Sequence, residues 1–147
     1  MSLTFEAIRV ANTTRCGQSF HPINSWSPTD WGCAMAGEVG EACNFLKKLR
    51  RLDDNKQLAN IPTNRDEIIA DIAKELADVV LYADLLAARL NIDLGKSVAD
   101  KFNEVSDRVK SDVKIMTNGV VITARQTSAG KKTVLKSKIG KIIAEQG

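Results

Sequence analysis

Residues 64–90 read NRDEIIADIAKELADVVLYADLLAARL, and this stretch decides the fold class. Ile68, Ile72, Leu76, Val79, Val80, Ala83 and Leu86 follow helical periodicity and form one broad arc. Asn64, with Glu67 three residues on, supplies a capping box at the start, and Asn91-Ile92-Asp93 breaks the pattern at the end. Leu81 and Leu85 fall outside the arc, so the helix is apolar nearly all round and must be covered on both sides. Neighbouring helices with charged outer faces cannot give that cover alone. A homo-oligomer, dimer or tetramer, is therefore expected.

Three more helices flank this one. Upstream, Ser27-Pro28 reads as an N-cap followed by proline at the first helical position. The helix it opens continues through Trp31, Met35, Phe45 and Leu46 to about Leu52. A polar loop from Asp53 to Thr63, with Asn60 and Pro62, separates the two. The first helix spans about Thr4 to Arg15, with Phe5, Ile8 and Ala11 on one face. The fourth carries Val98, Phe102, Val105, Val109 and Val113 at steps of three and four and ends near Val113.

Composition agrees with an all-α reading. The 147 residues are 44% hydrophobic and 27% charged, the balance of one globular domain, and 5% aromatics disfavour a sandwich or barrel. No run approaches the ~18 apolar residues of a membrane span. The N-terminal MSLTFEAIRVANTTR lacks a signal-peptide pattern, so a cytoplasmic protein without a membrane partner is expected. Net charge is +3 but uneven: residues 1–116 carry 15 Lys and Arg against 17 Asp and Glu, residues 117–147 six against one. The expected organisation is a helical domain over 1–116 and a short basic C-terminal extension over 117–147. In the extension, Val120–Ala124 and Thr133–Leu135 read as short strands around a Ser-Ala-Gly turn, and Ser137–Glu145 as a last helical turn or two.

One histidine, His21, excludes a zinc site built on several histidines and a di-iron centre of two Glu-x-x-His pairs within one chain. Cys16, Cys33 and Cys43 are odd in number and form no C-x-x-C, so they read as reduced packing residues.

Two acidic pairs at i, i+3 spacing stand out, Glu38/Glu41 and Glu75/Asp78. A third, Glu104/Asp107, has Arg108 and Lys110 as helical neighbours and reads as a solvated face. By contrast, Glu38 and Glu41 are the only charges in residues 32–46, GCAMAGEVGEACNFL. Glu75 and Asp78 open ELADVVLYADLLAA with only Lys74 nearby. Like charges one turn apart on an apolar background call for neutralisation, which a divalent cation provides; carboxylate oxygens suit Mg²⁺ or Mn²⁺. Antiparallel packing of the second and third helices would bring the pairs to one cleft. The alternative is that both reach water at an uncovered face. Gly37 and Gly40 interleave with the glutamates, each about 1 kcal/mol worse than alanine in a helix, which implies close approach to the backbone or tight helix packing.

The segments AGEVGEACN (36–44), KELADVVLYAD (74–84) and DKFNEVSDR (100–108), in that order, resemble the MazG-like branch of the all-α nucleoside triphosphate pyrophosphohydrolases over about residues 26–110. The resemblance implies a four-helix MazG-like bundle that hydrolyses ribo- or deoxyribonucleoside triphosphates to monophosphate and pyrophosphate, a nucleotide-pool cleansing activity. It implies that Glu38, Glu41, Glu75 and Asp78 hold Mg²⁺, with Glu41 as the proton acceptor. Lys101, Asn103 and Arg108 match the family's phosphate- and sugar-facing positions. Trp26 would stack on the base, Trp31 belonging to the core, and Asp71 would join the acids or pair with Lys74. Two features depart from the family: the 33 residues between Glu41 and Glu75 are at its long end, and nothing in it matches the tail from Thr117. The competing reading is a non-catalytic helical oligomerisation or adaptor module. Lys131, Lys132, Lys136, Lys138 and Lys141 make a basic stripe without interleaved aromatics, so no nucleic-acid partner is expected.

Overall fold

Each helix begins where a side chain can cap it. In the computed structural model, which describes residues 3–54, 56, 64–116, 119–125 and 133–134, α1 (Phe5–Ser19) starts after Thr4, whose Oγ1 accepts from the Ala7 N–H at 3.1 Å. α2 (Pro28–Asp53) opens with a reciprocal capping box between Ser27 and Asp30. α3 (Arg65–Arg89) is capped by Asn64, which accepts from the Asp66 N–H at 3.0 Å and donates through Nδ2 to Glu67 at 3.2 Å. Glu67 thus supports the cap through its side chain, not through its backbone. α4 (Leu94–Arg108) starts at Asp93, which accepts from the Lys96 N–H at 2.9 Å.

α3 and α4 end alike. Asn91 (φ 56°) and Lys110 (φ 57°) turn left-handed. The Ile92 N–H then reaches back to the Ala87 carbonyl and the Ser111 N–H to that of Ser106, each at 2.8 Å. These are Schellman closures built without glycine. The second one corrects the fourth helix: it stops at Arg108, and Val113, expected as its last residue, starts a strand. β1 (Val113–Ile115), β2 (Val121–Arg125) and β3 (Thr133–Val134) form an antiparallel sheet in the order β1-β2-β3, with Lys114 opposite Ile122 and Ala124 opposite Val134. The fold is therefore mostly helical with a small sheet, not purely helical. β2 and β3 fall where short strands were expected; the Ser-Ala-Gly turn and the helical turn over 137–145 lie outside the described residues. Among the described residues, no helix is long and apolar enough to cross a membrane.

The chain divides into two compact units, Met1–Ile92 and Asp93–Gly147. The division falls at the start of α4.

In the first unit α2 and α3 run antiparallel. Arg65, at the start of α3, pairs with Asp53, at the end of α2, at 3.3 Å, while Arg89 donates to the carbonyl of Trp26, just before α2, at 3.2 Å. Trp31, Met35, Ala42, Phe45, Leu49 and Leu52 recur at the three- and four-residue steps of a packed seam, all buried or half-buried. On α3 the corresponding row is Ile68, Ile72, Val79, Tyr82 and Leu86, likewise buried or half-buried. Cys16, Trp31 and Leu85 form the buried centre, with Trp31 donating from its indole to the Ile23 carbonyl at 3.1 Å. Leu85, outside the expected arc, is thus core.

α1 departs from its expected apolar face. Phe5 and Ala11 are exposed, and the buried residues are Asn12 and Cys16. The reason is Asp84, 1% exposed in α3. Arg9 Nε donates to its Oδ1 at 2.9 Å and Asn12 Nδ2 to its Oδ2 at 3.1 Å; the same two side chains also bond the carbonyls of Ile92 and Leu81. A buried carboxylate needs such partners, so α1 docks through polar groups. These contacts hold α1 against residues 81–92. At 15 residues it is about 22 Å long against about 37 Å for α3. Towards the N-terminus of α3, Ile69, Leu76 and Val80 stay exposed, Leu76 at 55%. Cys33 and Cys43 are also exposed, which corrects their reading as packing residues; all three cysteines are free thiols. A Cβ on Gly37 or Gly40 would meet nothing within 4 Å, so neither marks tight packing within the chain.

In the second unit Asn103 of α4 closes the free edge of β1. The Met116 N–H points to Val120 across the hairpin, so the polar groups of Ile115, one residue earlier, face the other way. The Asn103 amide takes both, donating to the Ile115 carbonyl and accepting from its N–H, each at 2.8 Å. Lys114 completes the join, bonding the Asn103 carbonyl at 3.0 Å and the Asp107 carboxylate.

Candidate functional site

Two members of the α2 and α3 seams are not apolar. Glu38 sits three residues after Met35 and four before Ala42; Glu75 sits three after Ile72 and four before Val79. Each occupies a position that its helix's periodicity assigns to the packed face, and both are half-buried. Antiparallel packing brings them together with Asp78, one turn beyond Glu75. One carboxylate oxygen from each of Glu38, Glu75 and Asp78 lies within 4.8 Å of the others.

The electrostatics follow. The Glu38 carboxyl titrates above its ordinary range, first because burial strips water from it, then because of the charges of Asp78, Glu41 and Glu75 and a hydrogen bond shared with Glu75. Among the described residues, none of these acids is in an ion pair. Lys74, the cation nearest in sequence, is held by Asp71 at 2.8 Å, which also resolves the two readings of Asp71. Three converging oxygen donors with no histidine or thiol form a set that fits a hard divalent cation.

The other expected site residues are distributed as follows. Glu41 is exposed and lies outside the three-carboxylate group. Its charge still reaches Glu38. Trp26 is half-buried in an aromatic cluster, stacked on His21 at 4.4 Å between ring centres and tilted against Trp31 at 4.6 Å. In the second unit Lys101 pairs with Glu104 at 2.6 Å, Asn103 caps β1, and Arg108 is exposed at the end of α4. Glu104 and Asp107 are exposed, as expected of a solvated face, but pair with Lys101 and Lys114 and not with Arg108 and Lys110.

Tyr82, beside the acids, and Arg15, whose charge reaches Tyr82, were missed. Burial raises the Tyr82 phenol, with the charges of Glu38 and Asp78 adding to the shift and Arg15 opposing it. Tyr82 lies one turn beyond Asp78 on the same face, so the i+4 rule could have found it. Nothing local marks Arg15, which comes from α1 and is braced by a hydrogen bond to Asn12 at 3.2 Å. The sequence matches no protein-family model and no curated protein.

Proposed function

We propose that the protein is a Mg²⁺-dependent hydrolase that cleaves nucleoside triphosphates to monophosphate and pyrophosphate. The observation that carries this reading is the meeting of Glu38, Glu75 and Asp78 in the α2–α3 seam, where no cation of the described residues pairs with them. Three carboxylates at half-buried positions cost stability unless a cation joins them. Glu38, Glu75 and Asp78 would hold Mg²⁺ or Mn²⁺, which would supply positive charge against the phosphates and a more acidic attacking water. Glu41, close enough for its charge to reach Glu38 yet exposed, accepts the proton of that water. Water cleaves the α–β phosphoanhydride, and pyrophosphate leaves. Trp26 meets the base, and the MazG-like resemblance assigns phosphate contacts to Lys101 and Arg108, whereas Asn103, which it assigns to the sugar, has both amide atoms engaged by Ile115. The biological task is nucleotide-pool cleansing in the cytoplasm.

The active form is a homodimer or homotetramer in which a second copy covers the row Ile69, Leu76 and Val80 that α1 is too short to reach. A Leu76→Glu variant is expected to sediment as a monomer.

The test is a panel of ribo- and deoxyribonucleoside triphosphates with and without Mg²⁺, separating pyrophosphate release from phosphate release. Metal-dependent pyrophosphate release is expected. Glu75→Gln and Glu41→Gln should each lower turnover about 10²–10³-fold in folded protein, the scale of losing one preorganised charge at a transition state. Turnover at the wild-type rate in either variant overturns the assignment of that residue.

A further inference from the structure

The C-terminal end of α2 carries a second chemical feature, opposite in sign to the first. Residues 47–51 read KKLRR. Cations near a helix C-terminus suit its dipole, which accounts for their sign. It does not account for their arrangement. Lys47, Arg50, Arg51 and Lys56 rim a groove of about 510 Å³, a volume within the range of small-ligand sites. Cys43 and Leu46 give it an apolar floor.

The rim is held in place. Past the helix the chain turns back, and the Lys56 N–H bonds the Arg51 carbonyl at 3.0 Å, returning Lys56 to the helix end. Asp54, the one carboxylate among the described residues that line the groove, takes the Arg50 Nε at 3.0 Å and the Lys56 Nζ at 3.4 Å. It thereby orients two of the cations. Lys47 and Arg51, one helical turn apart, have no ion-pair partner among the described residues. Four cations against one carboxylate leave a positive surplus.

We propose that this groove binds an oligophosphate anion, one with two or more linked phosphates. Cations spread over more than a helical turn, with a fourth folded back, exceed what one phosphate can engage, whereas linked phosphates present several oxygens along that span. Among the described residues no aromatic lines the groove. Phe45, the nearest in sequence, is covered by the Lys48 ammonium at 4.4 Å. Recognition therefore runs through phosphate oxygens, not through stacking on a base.

The experiment is calorimetric titration of the full chain with inorganic pyrophosphate in EDTA, so that the carboxylate cluster cannot recruit phosphate through a metal. Saturable binding is expected in wild type and in Glu75→Gln. In Lys47→Ser/Arg51→Ser it should weaken by about tenfold or more, and in Arg51→Lys it should largely persist. Orthophosphate should bind at least ~10-fold more weakly than pyrophosphate. Absence of binding in wild type, or equal affinity in the folded double variant, overturns the site. Equal affinity for orthophosphate overturns the oligophosphate assignment. The proposed hydrolysis fails separately: absence of turnover with binding intact removes the reaction and leaves the groove.

Discussion

Asp84 and Glu75 stand nine residues apart on α3, and the fold treats them in opposite ways. Asp84 is fully buried, yet Arg9 neutralises it and Asn12 donates to its other oxygen. Glu75 is only half-buried, yet its near neighbours are Glu38 and Asp78, and among the described residues no cation pairs with any of the three. Among the described residues the deeper charge is complete; the shallower one is not. Burial alone therefore does not distinguish a structural carboxylate from a functional one. What distinguishes them is whether the chain supplies the counter-charge. At Asp84 it does, at the cost of docking α1 through polar side chains. At Glu75 none of the described residues does, and in the proposed function a cation from solution takes that role.

The sharpest way to break this contrast is to remove Asp84. An Asp84→Leu substitution leaves Arg9 and Asn12 facing an apolar group, and should cost about 3–5 kcal/mol in denaturant unfolding, with Mg²⁺ giving no recovery. A smaller loss would mean that α1 docks by its apolar contacts after all. The complementary effect is at the cluster. Mg²⁺ at a hundred times its dissociation constant should stabilise the wild type by about 2.7 kcal/mol and Glu75→Gln by much less, read from melting temperatures at fixed protein concentration. Equal shifts in both proteins would place the metal elsewhere.

The contrast also explains what the sequence revealed. Helix starts were readable because Thr4, Ser27, Asn64 and Asp93 act on donors two or three residues away. The acidic pairs were readable because i, i+3 spacing is local. Whether Glu41 joins the cluster depends on which edge of α2 faces α3, a tertiary question that spacing leaves open. Nothing local marks Asp84 as buried and paired, since its partners lie more than 70 residues away. The fourth helix was read too long because Val109 and Val113 continue its stripe; the left-handed turn at Lys110, which ends it, uses a residue without a local signature. Asn103 looked available to a ligand for the same reason: its partner, Ile115, is in a strand that the stripe concealed.

The finest test concerns the proton on Glu38. Burial first, then Asp78, Glu41 and Glu75, raise the folded-state pKa of this carboxyl above the ordinary glutamate value of 4.5. The native state then binds the proton more tightly than the unfolded chain does. Stability must fall as pH climbs from the unfolded value through the raised folded value, and level off above it. A glutamine at position 38 has no proton to lose and removes one like charge, so Glu38→Gln should match the wild type at low pH and exceed it once that window is passed. The gain should stay below about 1 kcal/mol, since the group is partly hydrated. Mg²⁺ should reverse the order, because it replaces the proton between the carboxylates in the wild type and finds one ligand fewer in the variant. Melting temperatures of both proteins across pH 4–8, in EDTA and in Mg²⁺, measure this. If Glu38→Gln is less stable than wild type at neutral pH without metal, then Glu38 resembles Asp84, with its charge satisfied from within the fold.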